Sequence, residues 1–179
     1  DHSVHISASI GVALNSPEYT SFTDILRDAD TAMYQAKIHG KAHHRLFHKG
    51  MRIIVTERFR MESELRAAIQ GKQFLLHYQP VVSLTTGGVV GCEALLRWHH
   101  PERGLVSPGQ FLELAEETGL IVPIGQWVIE EACRQLGLWK RLSSLKEEPI
   151  VSVNISTRQF KDTHLINHVL DAIAANGLD

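Results

Sequence analysis

Glu93, Leu95 and Arg97 lie two residues apart within the apolar run 89–98 of a 179-residue chain. In a strand that spacing turns all three to one face, while Cys92, Ala94, Leu96 and Trp98 turn to the other. A carboxylate in so apolar a stretch is costly to bury without a cation, a metal or several hydrogen bonds. At about 3.3 Å per residue, the Cα atoms of Glu93 and Arg97 stand roughly 13 Å apart. The spacing leaves two readings open. One ligand is held at two places, by a metal at Glu93 and a phosphate at Arg97, or the two charges neutralise each other or their neighbours. Asn154, a polar amide near the C-terminal end of the apolar run 150–155, offers a neutral oxygen to a hard cation. Without further context the simpler fit is a strand-end asparagine bonded to loop backbone. Lys37 and Lys41, four apart at a helix end, fit either a phosphate contact or a solvated face that favours the helix C-terminus. His164 and His168 lack the intervening Glu of the zinc-protease arrangement and read as surface residues. His99-His100-Pro101 reads as loop.

Composition narrows the classes. Eighteen Lys and Arg against twenty Asp and Glu leave a net charge of −2, not the strongly basic balance of a nucleic-acid polymer binder. An apolar content of 44% suffices for a core and argues against wholesale disorder. No apolar run approaches the roughly 20 residues that span a bilayer. Cys92 and Cys133 fall in apolar-periodic segments, too few for a zinc cage or a disulfide scaffold, and a reduced cytoplasmic setting is expected. The chain opens on Asp1-His2, without an initiator Met or a secretory pattern, and stops just after a helical pattern. Both ends are expected to be internal to a longer chain.

The elements that must carry these residues follow from periodicity. Alternation over residues 5–13 predicts a strand. A helix capped by Ser21 or Thr23 follows, its stripe Ile25, Ala29, Ala32, Met33 and Ala36, stopping at Gly40. From Thr31 to Thr56 there is no Asp or Glu. One strand and one helix cannot close a useful core, so residues 1–50 read as the tail of a domain begun upstream. A helix over 57–70, supported by the pair Glu62–Arg66, reads as the connector into a second domain, the connector helix taking residues 51–72. A strand over 74–84, interrupted by Pro80 and hence an edge or bulged strand, turns at Thr85-Thr86-Gly87-Gly88 into the strand 89–98. A Gly/Pro loop over 99–107 precedes a helix capped at Ser107 and ending at Gly119. Pro123 opens a longer helix with the stripe Ile124, Val128, Ala132, Leu136 and Trp139. After a polar loop at 143–149, the run 150–155 reads as a parallel strand buried on both faces. Ser156-Thr157-Arg158-Gln159 is a capping box, and Leu165 to Ile173 marks a last helix. Two strands, helices, strand, helix argue for a parallel α/β sheet or barrel.

Several ordered motifs carry a resemblance. Glu93-Ala94-Leu95, continuing Leu96-Arg97-Trp98 and His100-Pro101, resembles the signature of EAL domains, the cyclic di-GMP phosphodiesterases. Tyr78-Gln79-Pro80 resembles that family's first strand. Pro108-Gly109-Gln110-Phe111, Ala115 to Ile121, Trp127-Val128 and Val153-Asn154-Ile155-Ser156 with Gln159-Phe160 keep the family order, from about residue 58 to the end. Residues 3–50 are similar to the C-terminal end of a GGDEF (diguanylate cyclase) domain, through Ser9-Ile10-Gly11-Val12-Ala13, Ala29-Asp30-Thr31-Ala32-Met33-Tyr34 and Ala36-Lys37. Lys41 stands where that family usually has Arg, and Lys lacks the bidentate phosphate contact.

The resemblance implies a (β/α)₈ TIM-like barrel with an antiparallel first strand, present here as its N-terminal half (73–179) behind the α+β tail of a GGDEF domain. It implies hydrolysis of one phosphodiester of cyclic di-GMP to linear pGpG, with two Mg²⁺ or Mn²⁺ ions in two-metal logic. Carried over, Glu93 and Asn154 become catalytic metal ligands, Arg97 a phosphate contact, and Gln79 and Leu95 lining of the substrate pocket. The partner arrangement it allows is a homodimer through the barrel. A barrel of this kind takes about 250 residues. The remaining carboxylates and the catalytic Lys are therefore expected beyond Asp179, and the chain alone is expected to be inactive and poorly soluble. Two alternatives stay open: a degenerate barrel that reads cyclic di-GMP without cutting it, and a parent whose main activity is synthesis by the upstream domain.

Overall fold

A computed structural model describes residues 6–40, 42–142 and 150–178. The chain divides into two compact units, Asp1–Met61 and Glu62–Asp179.

In the first unit, strand β1 (Ile10–Val12) pairs in parallel with β2 (His44–Leu46), and helix α1 (Phe22–Ile38) covers them. The strand expected over 5–13 is shorter than its alternation suggested, and His5 lies outside the described residues. β2 is not signalled by the sequence, because a three-residue strand exposed throughout shows no apolar alternation. Ser21 is the N-cap of α1 and His39 its C-cap, just before Gly40. Gly11 lets the strand touch the helix: a Cβ there would lie 1.8 Å from the Ala29 carbonyl oxygen. Asp28, 1% exposed, is the charged member of this core. Its carboxylate accepts from Arg52 Nε at 2.6 Å and Nη2 at 2.5 Å, and from the Tyr19 hydroxyl at 2.9 Å. Arg52 lies in helix α2 (Lys49–Gln70). That helix begins eight residues before the predicted 57, its first turn held by the bonds from Arg52 to Asp28, which lies 24 positions away in sequence. Tyr34 and Phe59 stack at 5.4 Å. Lys37 sits exposed in the last turn of α1, and Lys41 lies outside the described residues.

The second unit is a sheet backed by helices. Strand β3 (Phe74–Val82) runs antiparallel to β4 (Val89–His100). β4 also pairs antiparallel with β5 (Gly104–Val106) and parallel with β6 (Val151–Val153). The predicted irregularity near Pro80 is a register shift between Val81 and Val82. β4 runs two residues past the expected end and β5 falls in what read as loop, so His99 and His100 are strand residues. A 3₁₀ turn (Pro108–Gln110) leads to α3 (Leu112–Thr118), stopped by left-handed Gly119, and to α4 (Ile121–Leu142), with Pro123 in its first turn. The predicted loop at 143–149 lies outside the described residues. β6 is parallel as expected, but it is not buried on both faces: Ser152 is exposed. α5 (Thr157–Phe160) and α6 (Leu165–Ala175) complete the unit.

One face of this sheet is a hydrophobic core. Phe74, Ala94 and Trp98 are buried there with Phe111, Ile124, Val128 and Ala132 from the helix layer. The Phe74 ring lies 6.0 to 6.2 Å from those of Trp98, Phe111 and Trp127, near the spacing at which tilted aromatic pairs attract. Buried His100 pins the end of β4. Its Nδ1 accepts from the backbone N–H groups of Glu102 and Arg103, both at 3.1 Å, and its Nε2 faces Glu64 Oε2 at 3.2 Å. Leu84, Val89, Ile155 and Phe160 remain exposed, the apolar surface expected of an open sheet.

Candidate active site

Strand pairing fixes what shares the other face. Gln79 lies opposite Glu93, and Glu93 opposite Ser152. His77 lies opposite Leu95, and Leu75 opposite Arg97. Registered partners point to the same side, so Gln79, Glu93, Leu95 and Arg97 share one face, and Asn154, one residue past β6, reaches Glu93 on it through a hydrogen bond. Ser152 belongs there too. It was missed, although counting back two from Asn154 would have found it.

Within that face Glu93 and Asn154 touch. Asn154 Nδ2 donates to Glu93 Oε1 at 2.6 Å, across a parallel strand pair whose two members are 61 positions apart in sequence. The bond turns the asparagine nitrogen toward the carboxylate and leaves its carbonyl oxygen available. Glu93 is half-buried and Asn154 exposed. Both are hard oxygen donors, the type that Mg²⁺ and Mn²⁺ prefer, so they fit as two members of a ligand set. Among the described residues no group of three or more His, Cys, Asp or Glu converges to hold an ion. Arg97 does not join them: its Nη1 donates to the Leu96 carbonyl at 2.8 Å. That contact holds the guanidinium by the strand and uses one of its five N–H donors, while no other bond from it is made among the described residues. Gln79, across the strand, is exposed.

The turn that carries Asn154 is tightly fixed. The capping box after β6 is present in both directions: Gln159 N donates to Ser156 Oγ and Ser156 N to Gln159 Oε1, each at 3.2 Å. Gln159 is 3% exposed and fills a notch on α4 left by Gly125, where a Cβ would sit 1.8 Å from Gln159 Nε2. Arg158 Nη1 donates to the Glu116 and Glu117 carbonyls at 2.7 and 3.2 Å, closing the end of α3. A largely apolar cleft of about 370 Å³ runs from Leu95 and Asn154 to Gln159 and Gly125.

Burial pushes the Cys92 and Cys133 thiols up, away from the reactive thiolate. The Tyr78 hydroxyl is pushed to about 12, by burial first and then by Glu131 and Cys92. His164 is exposed, as expected. His168 is not simply a surface residue, because its Nε2 meets Gln126 Nε2 at 3.0 Å where α6 packs on α4.

Comparison with known proteins places the chain among its relatives. The EAL domain family profile matches residues 62–179, and that of the diguanylate cyclase GGDEF domain matches residues 1–43. The chain is 43% identical over 178 residues to the bifunctional diguanylate cyclase/cyclic di-GMP phosphodiesterase MucR of Pseudomonas aeruginosa, covering 99% of this chain and 26% of that protein. It is 42% identical over 160 residues to the cyclic di-GMP phosphodiesterase PdeR of Escherichia coli, covering 89% of this chain and 23% of that protein. It thus spans about a quarter of the length of these curated relatives. A solved structure described as the PaMucR phosphodiesterase in complex with c-di-GMP superposes with a TM-score of 0.62 at 46% identity, over 66% of this chain and 47% of that one. Among the described residues no helix is long and apolar enough to cross a membrane.

Proposed function

The chain belongs to the EAL domain family over residues 62–179, and on that premise we propose that its second unit supplies part of the active site of a cyclic di-GMP phosphodiesterase. The contact between Glu93 and Asn154, on a face shared with Gln79, Leu95 and Arg97, is the observation that carries this reading. The reaction is hydrolysis of one phosphodiester to linear pGpG. Water adds to phosphorus, the bond to the 3′ oxygen breaks, and that oxygen leaves with a proton. A divalent cation of the Mg²⁺ or Mn²⁺ type supplies, when bound, positive charge at the phosphate oxygens and a more acidic water. Glu93 and Asn154 would hold it, each through an oxygen. Arg97, extended from the same strand, binds a phosphate of the dinucleotide, and Gln79 and Leu95 line the wall against which the substrate lies. The first unit is the tail of a GGDEF domain, and the free thiols of Cys92 and Cys133 suit a reduced cytoplasmic setting.

Two carboxylate and amide donors do not make a complete two-metal site, so the chain is inactive by itself. The test is chromatographic detection of pGpG from cyclic di-GMP with Mg²⁺ or Mn²⁺. A whole protein of the relatives' extent converts the substrate and the 179-residue chain does not. Tight binding without conversion by the whole protein would replace this reading with that of a receptor. Robust turnover by the chain alone would refute the incompleteness of its site.

A further inference from the structure

We infer that Gln159 is a positioning residue, which sets Asn154 at its distance from Glu93 by locking the turn between them to helix α4. The inference rests on the phosphodiesterase reading for what Asn154 does, and on the packing for how it is held. Asn154 follows directly on β6 and is exposed, and the bond that holds its side chain among the described residues is the one to Glu93 on the neighbouring strand β4. Two residues later the chain enters the reciprocal bonds between Ser156 and Gln159. A capping box on an exposed four-residue helix would fix only that helix. Here the Gln159 side chain is nine-tenths buried or more and occupies the space that Gly125 leaves open on α4, the helix whose Ile124 and Val128 lie in the sheet's core. The turn is therefore registered to the layer beneath β4, the strand that bears Glu93. Arg158, gripping the last carbonyls of α3, is a second weld on the same four residues. A site held within a fraction of an ångström needs such support for its donors.

Two substitutions of similar volume separate positioning from packing. Gln159→Met fills the notch but cannot accept from Ser156 N, whereas Gln159→Glu keeps that acceptor, since a capping box takes either residue. In the whole protein, Mn²⁺ binding followed by the electron paramagnetic resonance of the free ion should weaken about 10-fold in Gln159→Met and recover most of the way in Gln159→Glu. The side-chain amide signals of Asn154 should shift in the metal-free protein for Gln159→Met alone. At saturating Mn²⁺ the KM for cyclic di-GMP should stay within about two-fold while the metal needed for half-maximal rate rises by that same factor of about 10. Should Gln159→Met fail to fold, Arg158→Ala, which removes an exposed side chain, is expected to move the Asn154 signals as well. Mn²⁺ affinity and Asn154 signals unchanged in Gln159→Met overturn the inference, while pGpG formation by the unsubstituted protein keeps the functional reading intact. An unsubstituted protein that neither binds Mn²⁺ nor forms pGpG defeats both.

Discussion

The guanidinium of Arg52 grips the carboxylate of Asp28 through two nitrogens, Nε at 2.6 Å and Nη2 at 2.5 Å, and so ties the first turn of α2 to the middle of α1. Asp28 is buried and Arg52 half-exposed, so the pair gains more than a surface ion pair and less than a fully desolvated one. Asp28→Ala should cost the first unit about 1.5–3 kcal/mol, the range for hydrogen bonds to charged groups. All three tryptophans, Trp98, Trp127 and Trp139, lie in the second unit, so their fluorescence will not register the loss. Mass-resolved amide exchange should show α1 exchanging faster while β4 is unchanged.

The same pair gives the first unit an acid sensitivity of defined sign. The hydrogen bonds from Arg52 hold the Asp28 carboxyl below its ordinary value of 3.8, against the opposing effect of burial. A lowered folded-state value means that the stabilisation is fully present above the unfolded value, near pH 4, and is lost as pH falls through the folded one. Exchange of α1 amides should thus be flat from pH 7 to about 5, after correction for intrinsic rates, and accelerate below about pH 4. In Asp28→Asn that acceleration should be weaker, the remainder coming from Asp24, which is also held below its ordinary value, chiefly by the hydrogen bond from Thr20.

Glu93→Gln retains an acceptor for Asn154 Nδ2 and removes only the charge. In the whole protein it should lower pGpG formation by about 100-fold or more, the cost of disabling an oxygen ligand exceeding that of losing an outer partner. Thermal unfolding followed by tryptophan fluorescence should move by no more than a few degrees, which separates loss of chemistry from loss of fold.

Arg97 tests recognition. Arg97→Lys keeps the charge but not the planar fork, so a phosphate held by two parallel hydrogen bonds would be held by one point charge. The expected result is a KM for cyclic di-GMP raised about 10-fold with kcat within a factor of about three. An unchanged KM would place the phosphate elsewhere.

Tyr78 carries a buried hydroxyl with no hydrogen-bond partner among the described residues, its ring edge-on to Trp139 at 4.8 Å. Deleting a polar group that pairs with nothing removes a desolvation cost and little else. Tyr78→Phe should therefore be neutral or stabilise the second unit by up to about 1 kcal/mol in urea unfolding. In ultraviolet titration one tyrosinate should appear only near pH 12, and the substitution should abolish that step.

The sequence made the second unit far more legible than the first. Period-two alternation named the face of Glu93, Leu95 and Arg97, and the capping box at Ser156 is present as written. Residues such as His44, Arg45 and Leu46, exposed throughout, leave no alternation by which a strand could be found. The start of α2 escaped because its first turn, with Lys49, Gly50 and no acidic residue, carries no N-terminal signal, and the Asp28 carboxylate that receives Arg52 is 24 positions away. The meeting of Glu93 and Asn154 was beyond periodicity for a related reason. A parallel register is set by how the intervening helices pack, and no local pattern encodes it. The notch between Gly125 and Gln159 is the same kind of fact, since a helical glycine announces a close approach without naming what approaches.

His100 accepts two backbone N–H groups at one ring nitrogen, and a nitrogen that accepts cannot also bear the proton. The imidazole is thereby confined to a single tautomer, protonated on Nε2, the side of the Glu64 carboxylate. Of the eleven histidines, this one offers nitrogen-15 spectroscopy a built-in gauge: as long as its two ring resonances stay widely separated, the far end of the strand bearing Glu93 and Arg97 is folded.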